Sequence, residues 1–379
     1  MNTLKGINLT LLIGTAVPVQ APRVIIDALT GVQVTNGKDR SGFQLTFTVG
    51  KNSPILNNYL PAGYFDPIVT RVIIVVTLNG MPTSIMDGLV TNQEFSPSNE
   101  AGKSTLTITG QDLSLAMDLV EYTIPFPAVP DIGQIYLTLA KYAALGIAPL
   151  AFPPISPIIK QPQEKWDTQP KMTDRAYLSS RAQKFGYIFM VQPGPFPGQN
   201  IAYFGPDANV PMPQRALSIN FDASSNTESL SFSLDGMAKK IRIYTIMDPF
   251  TGKIPIPIPV PNVSMFKPPL GARITPPARV EFGKDVAKFE PGEAASDILG
   301  FLTDSSNANA ITVSGSFDVT RYGSILRSRM LVGVRGAGIA YDGMYYVDSV
   351  THNIKKGEYK QNFTLSRDGL ISTSQKVPV

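Results

Sequence analysis

His352 is the only histidine in the chain and sits in the strand-like run "DSVTHNI". A catalytic or metal-binding histidine needs a second histidine, a cysteine or a placed carboxylate at a defined spacing, and none accompanies it. The sequence therefore gives His352 a structural role. "GAGIAY", residues 336–341, begins like a dinucleotide-binding loop, but Tyr341 occupies the third glycine position and no helix is predicted after it, which argues against phosphate binding. "EKWD" sets Glu164 and Asp167 beside the only tryptophan, Trp166. An aromatic face flanked by two carboxylates is the chemistry of a sugar platform, yet this one lies in a proline-rich connection that gives no rigid spacing. Glu290 and Glu293 lie at the N-terminal end of a short helix predicted near 293–302, where they complement its dipole. No catalytic, cofactor-binding or metal-binding residue is assigned, and no cofactor is expected.

The elements that would have to position such groups are predominantly strands. Hydrophobic residues make up 43% and charged residues 16% of the 379, the balance of a folded chain with several cores. There are no cysteines, which removes disulfides and thiolate chemistry together. The net charge is +4, and basic residues come only in pairs such as Lys239-Lys240 and Lys355-Lys356, so no sequence-specific nucleic-acid surface is predicted. No segment reaches the roughly 18 apolar residues of a membrane-spanning helix, and no membrane partner is expected. At the N-terminus Ile7, Leu9, Leu11 and Ile13 alternate, the pattern of a strand rather than of a cleaved signal.

Residues 1–112 read as a first antiparallel barrel. "FQLTFTV" alternates, and "VIIVVTL" ends at the turn dipeptide Asn79-Gly80. Residues 113–212 change to a small α+β domain. Asp112, Asp131 and Thr173 are placed to cap three helices, with "YIFMV" and "NIAYFG" as the sheet beneath the third. Strands return in 213–247 and 310–368, where "KKIRIYTI" is the expected pairing partner of the Leu230–Leu234 run. Nine prolines between 249 and 277 fit an extended edge or arm and not a central strand, so 248–309 and 369–379 form an accessory, proline-rich insertion. The fold class is mainly β with a small α+β insertion: two similar antiparallel β-barrels plus accessory domains.

The similarity of the barrels is visible as a weak internal repeat. Val76, Leu78 and Gly80 match Val332, Val334 and Gly336 at an offset of 256; Asp87-Gly88 matches Asp342-Gly343 at 255; Leu106 and Ile108 match Phe363 and Leu365 at 257. In each copy a strand ends at glycine, an Asp-Gly turn follows, and two further strands complete the unit, so the chain is predicted to carry one barrel twice, the second split by the insertion.

The closing stretch "YGSILRSRMLVGVRGAGIAYDGMYYVDSVTHNIKKGEYKQNFTLSRDG" resembles the late-control-D type baseplate hub proteins of contractile phage tails, which are related to the first part of type VI secretion spike proteins. The features that carry the resemblance are the Gly-punctuated loop, the Asp-Gly-x-Tyr-x-Val strand, His352 and the Gly-x-Tyr strand ending in Arg367. The resemblance implies a non-enzymatic structural hub, found in a virion tail or a contractile injection particle. It implies a homotrimer whose six barrels form a pseudo-sixfold ring, with the tail tube protein, the spike protein and other baseplate proteins as partners. The proline-rich arms at 147–162 and 249–277 are candidates for reaching neighbouring subunits. A secreted or surface carbohydrate-binding protein, using Trp166, is the alternative.

Overall fold

The computed structural model describes residues 6–15, 17–37, 40–100, 102–126, 129–153, 167–207, 214–247, 255–261, 267–282, 298 and 309–374. Trp166, Glu164, Glu290, Glu293 and all but one residue of the helix expected near 293–302 fall outside these, and of Asp167 only the backbone is described. Among the described residues no helix is long and apolar enough to cross a membrane.

A single 13-stranded sheet runs through both ends of the chain. In its first half, strand Asn8–Gly14 pairs with Arg71–Leu78, which pairs with Met81–Ser96, then Thr105–Asp112, Ser41–Thr48 and Leu29–Asn36, all antiparallel. Val72, Ile74 and Val76 point into the main core, while Ile73 and Val75 are buried on the opposite face. Strand burial on both sides explains the unbroken β-branched run. Leu78 faces Met81 across Asn79-Gly80, whose φ values of 51° and 81° are those of a tight primed turn.

The second half follows the same path. Gln214–Ser218 pairs with Leu331–Arg335, then come Gly343–Lys355, Glu358–Arg367, Ile311–Asp318 and Ser229–Leu234. Only the first pairing differs in sense, being parallel. Leu29–Asn36 and Ser41–Thr48 are close neighbours in the chain, whereas the corresponding strands Ser229–Leu234 and Ile311–Asp318 are separated by the 248–309 part of the insertion. Both halves contribute to one continuous apolar core.

Several expectations need correction. Strand Lys240–Met247 does not pair with Ser229–Leu234; it forms a separate sheet with Pro255–Pro261 and Arg279–Phe282. Ile311–Asp318 takes the place beside Ser229–Leu234 instead, because it already lies against Glu358–Arg367 and extends the main sheet. Asp87-Gly88 is no turn but the middle of a 16-residue strand, since Asn79-Gly80 has already reversed the chain. The residue matches of the repeat also slip. Both halves carry a bulge, at residue 91 on one long strand and at residue 348 on the other. Counted from these bulges, Phe363 stands where Ile108 stands and Val332 where Val72 stands, two and four residues from the sequence match. Even-numbered slips keep every side chain on its face, so hydrophobic alternation alone could not fix the register.

The middle domain packs its own core around Leu113, Ile135, Leu178 and Phe204. Asp112 caps a 3-10 helix, Leu113–Asp118, by accepting from the Ser114 amide, and Thr173 caps helix Asp174–Lys184 by accepting from Ala176. Asp131 does not cap: it is the first residue of helix Asp131–Ala140, with Pro130 before it, and there it complements the helix dipole. That helix ends at Ala140, and Gly146, at φ 77°, closes a separate 3-10 turn, Ala143–Leu145. Thr173 also donates to Asp118 at 2.7 Å. Thr173→Ala is expected to lower stability by about 1 kcal/mol, read as a shifted urea midpoint with unchanged slope; no shift would show that the cap is redundant.

Candidate assembly surfaces

The seam between the two halves is a strand pairing. Gly343–Lys355 carries Leu29–Asn36 along its C-terminal portion, with Val350 opposite Asn36, His352 opposite Val34 and Lys355 opposite Gly31. The hydroxyls of Thr351 and Thr35 meet at 3.3 Å. His352 points to the buried side, where Nδ1 lies 2.6 Å from the Tyr359 hydroxyl and 3.3 Å from Nε2 of Gln361. Burial pushes its pKa down to about 3, so the imidazole is neutral and packs as a polar core residue. Among the described residues no three His, Asp or Glu side chains converge to hold a metal.

"GAGIAY" is the loop joining Leu331–Arg335 to Gly343–Lys355, and a strand follows it. Arg367 is fully buried and holds the loop. Its guanidinium donates to the carbonyls of Asp342 at 2.9 Å, Ala340 at 2.9 Å and Gly369 at 2.7 Å, and it stacks over the Tyr345 ring at 4.4 Å. Three carbonyls and a ring face replace the water that this cation gives up.

Two buried charge clusters, neither expected from the sequence, weld the other parts together. Arg71 donates to both oxygens of Asp87 at 2.7 Å. Asp87 also accepts from Asn200 of the middle domain at 2.8 Å, and Arg71 reaches the Gly198 carbonyl at 3.1 Å. Asp207, at the end of the middle domain, accepts from Lys267 of the insertion at 2.8 Å and from the Tyr346 hydroxyl at 2.5 Å. Burial alone raises its pKa, but Lys267 and Arg329 outweigh burial, and the carboxyl lies below its ordinary range. The only sequence signal for the first cluster is a pair of opposite charges 16 residues apart on two strands joined by a two-residue turn.

The sheet edges differ in kind. In Pro255–Pro261 the prolines fall at every second residue. Successive N–H groups of a strand point to opposite edges, so all four ring nitrogens face one edge while Ile256, Ile258 and Val260 can donate toward Lys240–Met247. The outer edge therefore has no donors and resists further pairing. Ser229–Leu234, the last strand of the main sheet, has neither proline nor charge and no strand beyond it among the described residues.

This architecture recurs in solved structures. A tail protein from Neisseria meningitidis MC58 superposes with a TM-score of 0.61 at 13% identity, over 97% of this chain and 98% of that one. The 43 kDa tail protein of prophage MuSo2 from Shewanella oneidensis gives 0.60 at 11% identity, over 96% and 100%. The chain has the fold of these phage tail proteins. A chain of the Francisella PdpA–VgrG complex, half-lidded, matches all of this chain with 61% of its own length, at a TM-score of 0.59 and 8% identity. No protein-family model matches the chain, and no curated protein does. The superposition extends over nearly the whole chain, well beyond the closing stretch that carries the resemblance in the sequence.

Proposed function

We propose that this protein is the structural hub of a contractile-tail baseplate or a related injection particle, in which three copies form a ring of six similar modules between a sixfold tube and a threefold spike. The observation that carries this reading is the repeated strand path: six strands in the same spatial order, each half with its bulge at the same place, in one chain. Three such chains offer six near-equivalent surfaces on one side of a ring and a threefold arrangement on the other. Likeness to phage tail proteins over nearly the full length supports a structural, non-enzymatic role in a tail. The tail tube protein, the spike protein and other baseplate proteins are the partners this role requires.

The test is mass and shape together. Light scattering of the purified chain, alone and with its tube and spike proteins, is expected to give three copies, and negative-stain averages should show a ring with six lobes. A monomer under all those conditions, or a closed twofold dimer, would overturn the proposal.

A further inference from the structure

The seam inside the chain is a template for a seam between chains. Along Gly343–Lys355, the residues after the bulge carry Glu358–Arg367 on one edge and Leu29–Asn36 on the other. Met81–Ser96 has the same anatomy: Arg71–Leu78 covers it only as far as Leu89, and Thr105–Asp112 continues along the other edge to Ser96. Counted from the bulges, residues 93–96 hold the place of 350–353. They are exposed, and among the described residues no strand occupies their second edge.

The strand that would fill that edge can also be identified by register. In the second half Val350 faces Phe363, Phe363 faces Gly315, and Gly315 faces Leu230. In the first half Gln93 faces Ile108, Ile108 faces Leu45, and Leu45 faces Val32. Leu230 thus corresponds to Val32, Phe232 to Val34 and Leu234 to Asn36. Alternation agrees: Leu230 and Phe232 are the more buried residues of their strand, as Val32 and Val34 are of theirs. Leu29–Asn36 is spent on the internal seam, whereas no strand among the described residues covers the corresponding edge of Ser229–Leu234.

We propose that residues 231–234 of one copy pair antiparallel with residues 93–96 of a second copy, with Phe232 opposite Phe95, Ser233 opposite Glu94, Ser231 opposite Ser96 and Leu234 opposite Gln93. The occupant is a second copy because the internal seam already joins these two strand types in this register. Phe95 and Leu234, 44% and 43% exposed, lose their exposure together. The open edge lacks the proline block that protects Pro255–Pro261. Each copy gives one edge and receives one, a head-to-tail contact that alternates with the internal seam and closes when successive rotations complete a turn. This deepens the ring reading above and rests on it.

Cysteine pairing tests the register, since the chain has no cysteine of its own. Glu94 and Ser233 are exposed and correspond to Thr351 and Thr35, whose hydroxyls meet in the internal seam. Directly opposed strand residues lie within disulfide reach. Mild oxidation of the Glu94→Cys/Ser233→Cys chain should give reducible dimers and trimers on non-reducing gels. The Phe95→Cys/Ser233→Cys control, whose side chains face opposite sides of the sheet, should give none. Phe95→Glu should weaken self-association roughly 10- to 100-fold with an unchanged melting transition. A trimeric mass without the cross-link, or with Phe95→Glu associating normally, overturns this pairing and leaves the ring standing. A monomer under every condition, with tube and spike proteins present, overturns both.

Discussion

Asp87→Ala is expected to destabilise the fold by about 3–5 kcal/mol, the usual result of stripping the partner from a buried ion pair. Arg71 and Asp87 are 7% and 1% exposed, and the carboxylate receives two bonds from the guanidinium and one from Asn200. Removing it leaves the buried Arg71 charge with the Gly198 carbonyl as its one remaining side-chain hydrogen-bond partner among the described residues. The loss should appear as a lower urea midpoint, and as faster proteolysis in the turn around Gly198, because the cluster ties that turn to the sheet. The double change Arg71→Met/Asp87→Leu should cost less than Asp87→Ala, since it leaves no unpaired charge. A single-variant loss below about 1 kcal/mol would mean that water reaches Arg71.

His352 gives the second large effect, through pH. Its pKa lies at about 3 in the folded chain against an ordinary 6.5. Below pH 6.5 the unfolded chain takes up a proton at this ring and the folded chain does not, so stability is complete above 6.5 and falls as the pH drops toward 3. The slope is about 1.4 kcal/mol per pH unit. Because the chain has no other histidine, few other groups titrate in the upper part of that window. Urea unfolding of the native chain and of His352→Gln across this range should show the steeper decline in the native chain. Equal slopes would show that His352 is protonated in the fold.

How far the sequence could be followed depended on the range of the interactions involved. The cap at Thr173 and the turn at Asn79-Gly80 were legible because a helix start and a two-residue hairpin are set by neighbours a few positions away. The prolines between 249 and 277 were likewise enough to exclude a central strand, leaving an extended edge or an arm. Lys240–Met247 was misassigned because alternation says that a segment is a strand and not which strand it joins. The candidate edges at 93–96 and 231–234 were invisible for the same reason. Neither has an unusual residue, and their significance lies only in what fails to pair with them.

The amino-acid sequence by itself determined most of the strands, the turn at Asn79-Gly80 and the caps at Asp112 and Thr173, since each of these follows from local backbone preference and from the alternation of apolar side chains. Tertiary structure alone decided the register of the repeat, the parallel pairing of Gln214–Ser218, the union of Arg71 with Asp87 and Asn200, and the burial that keeps His352 neutral. Those depend on contacts between distant segments, where a slip of two residues leaves the hydrophobic pattern intact but changes every hydrogen-bonded partner.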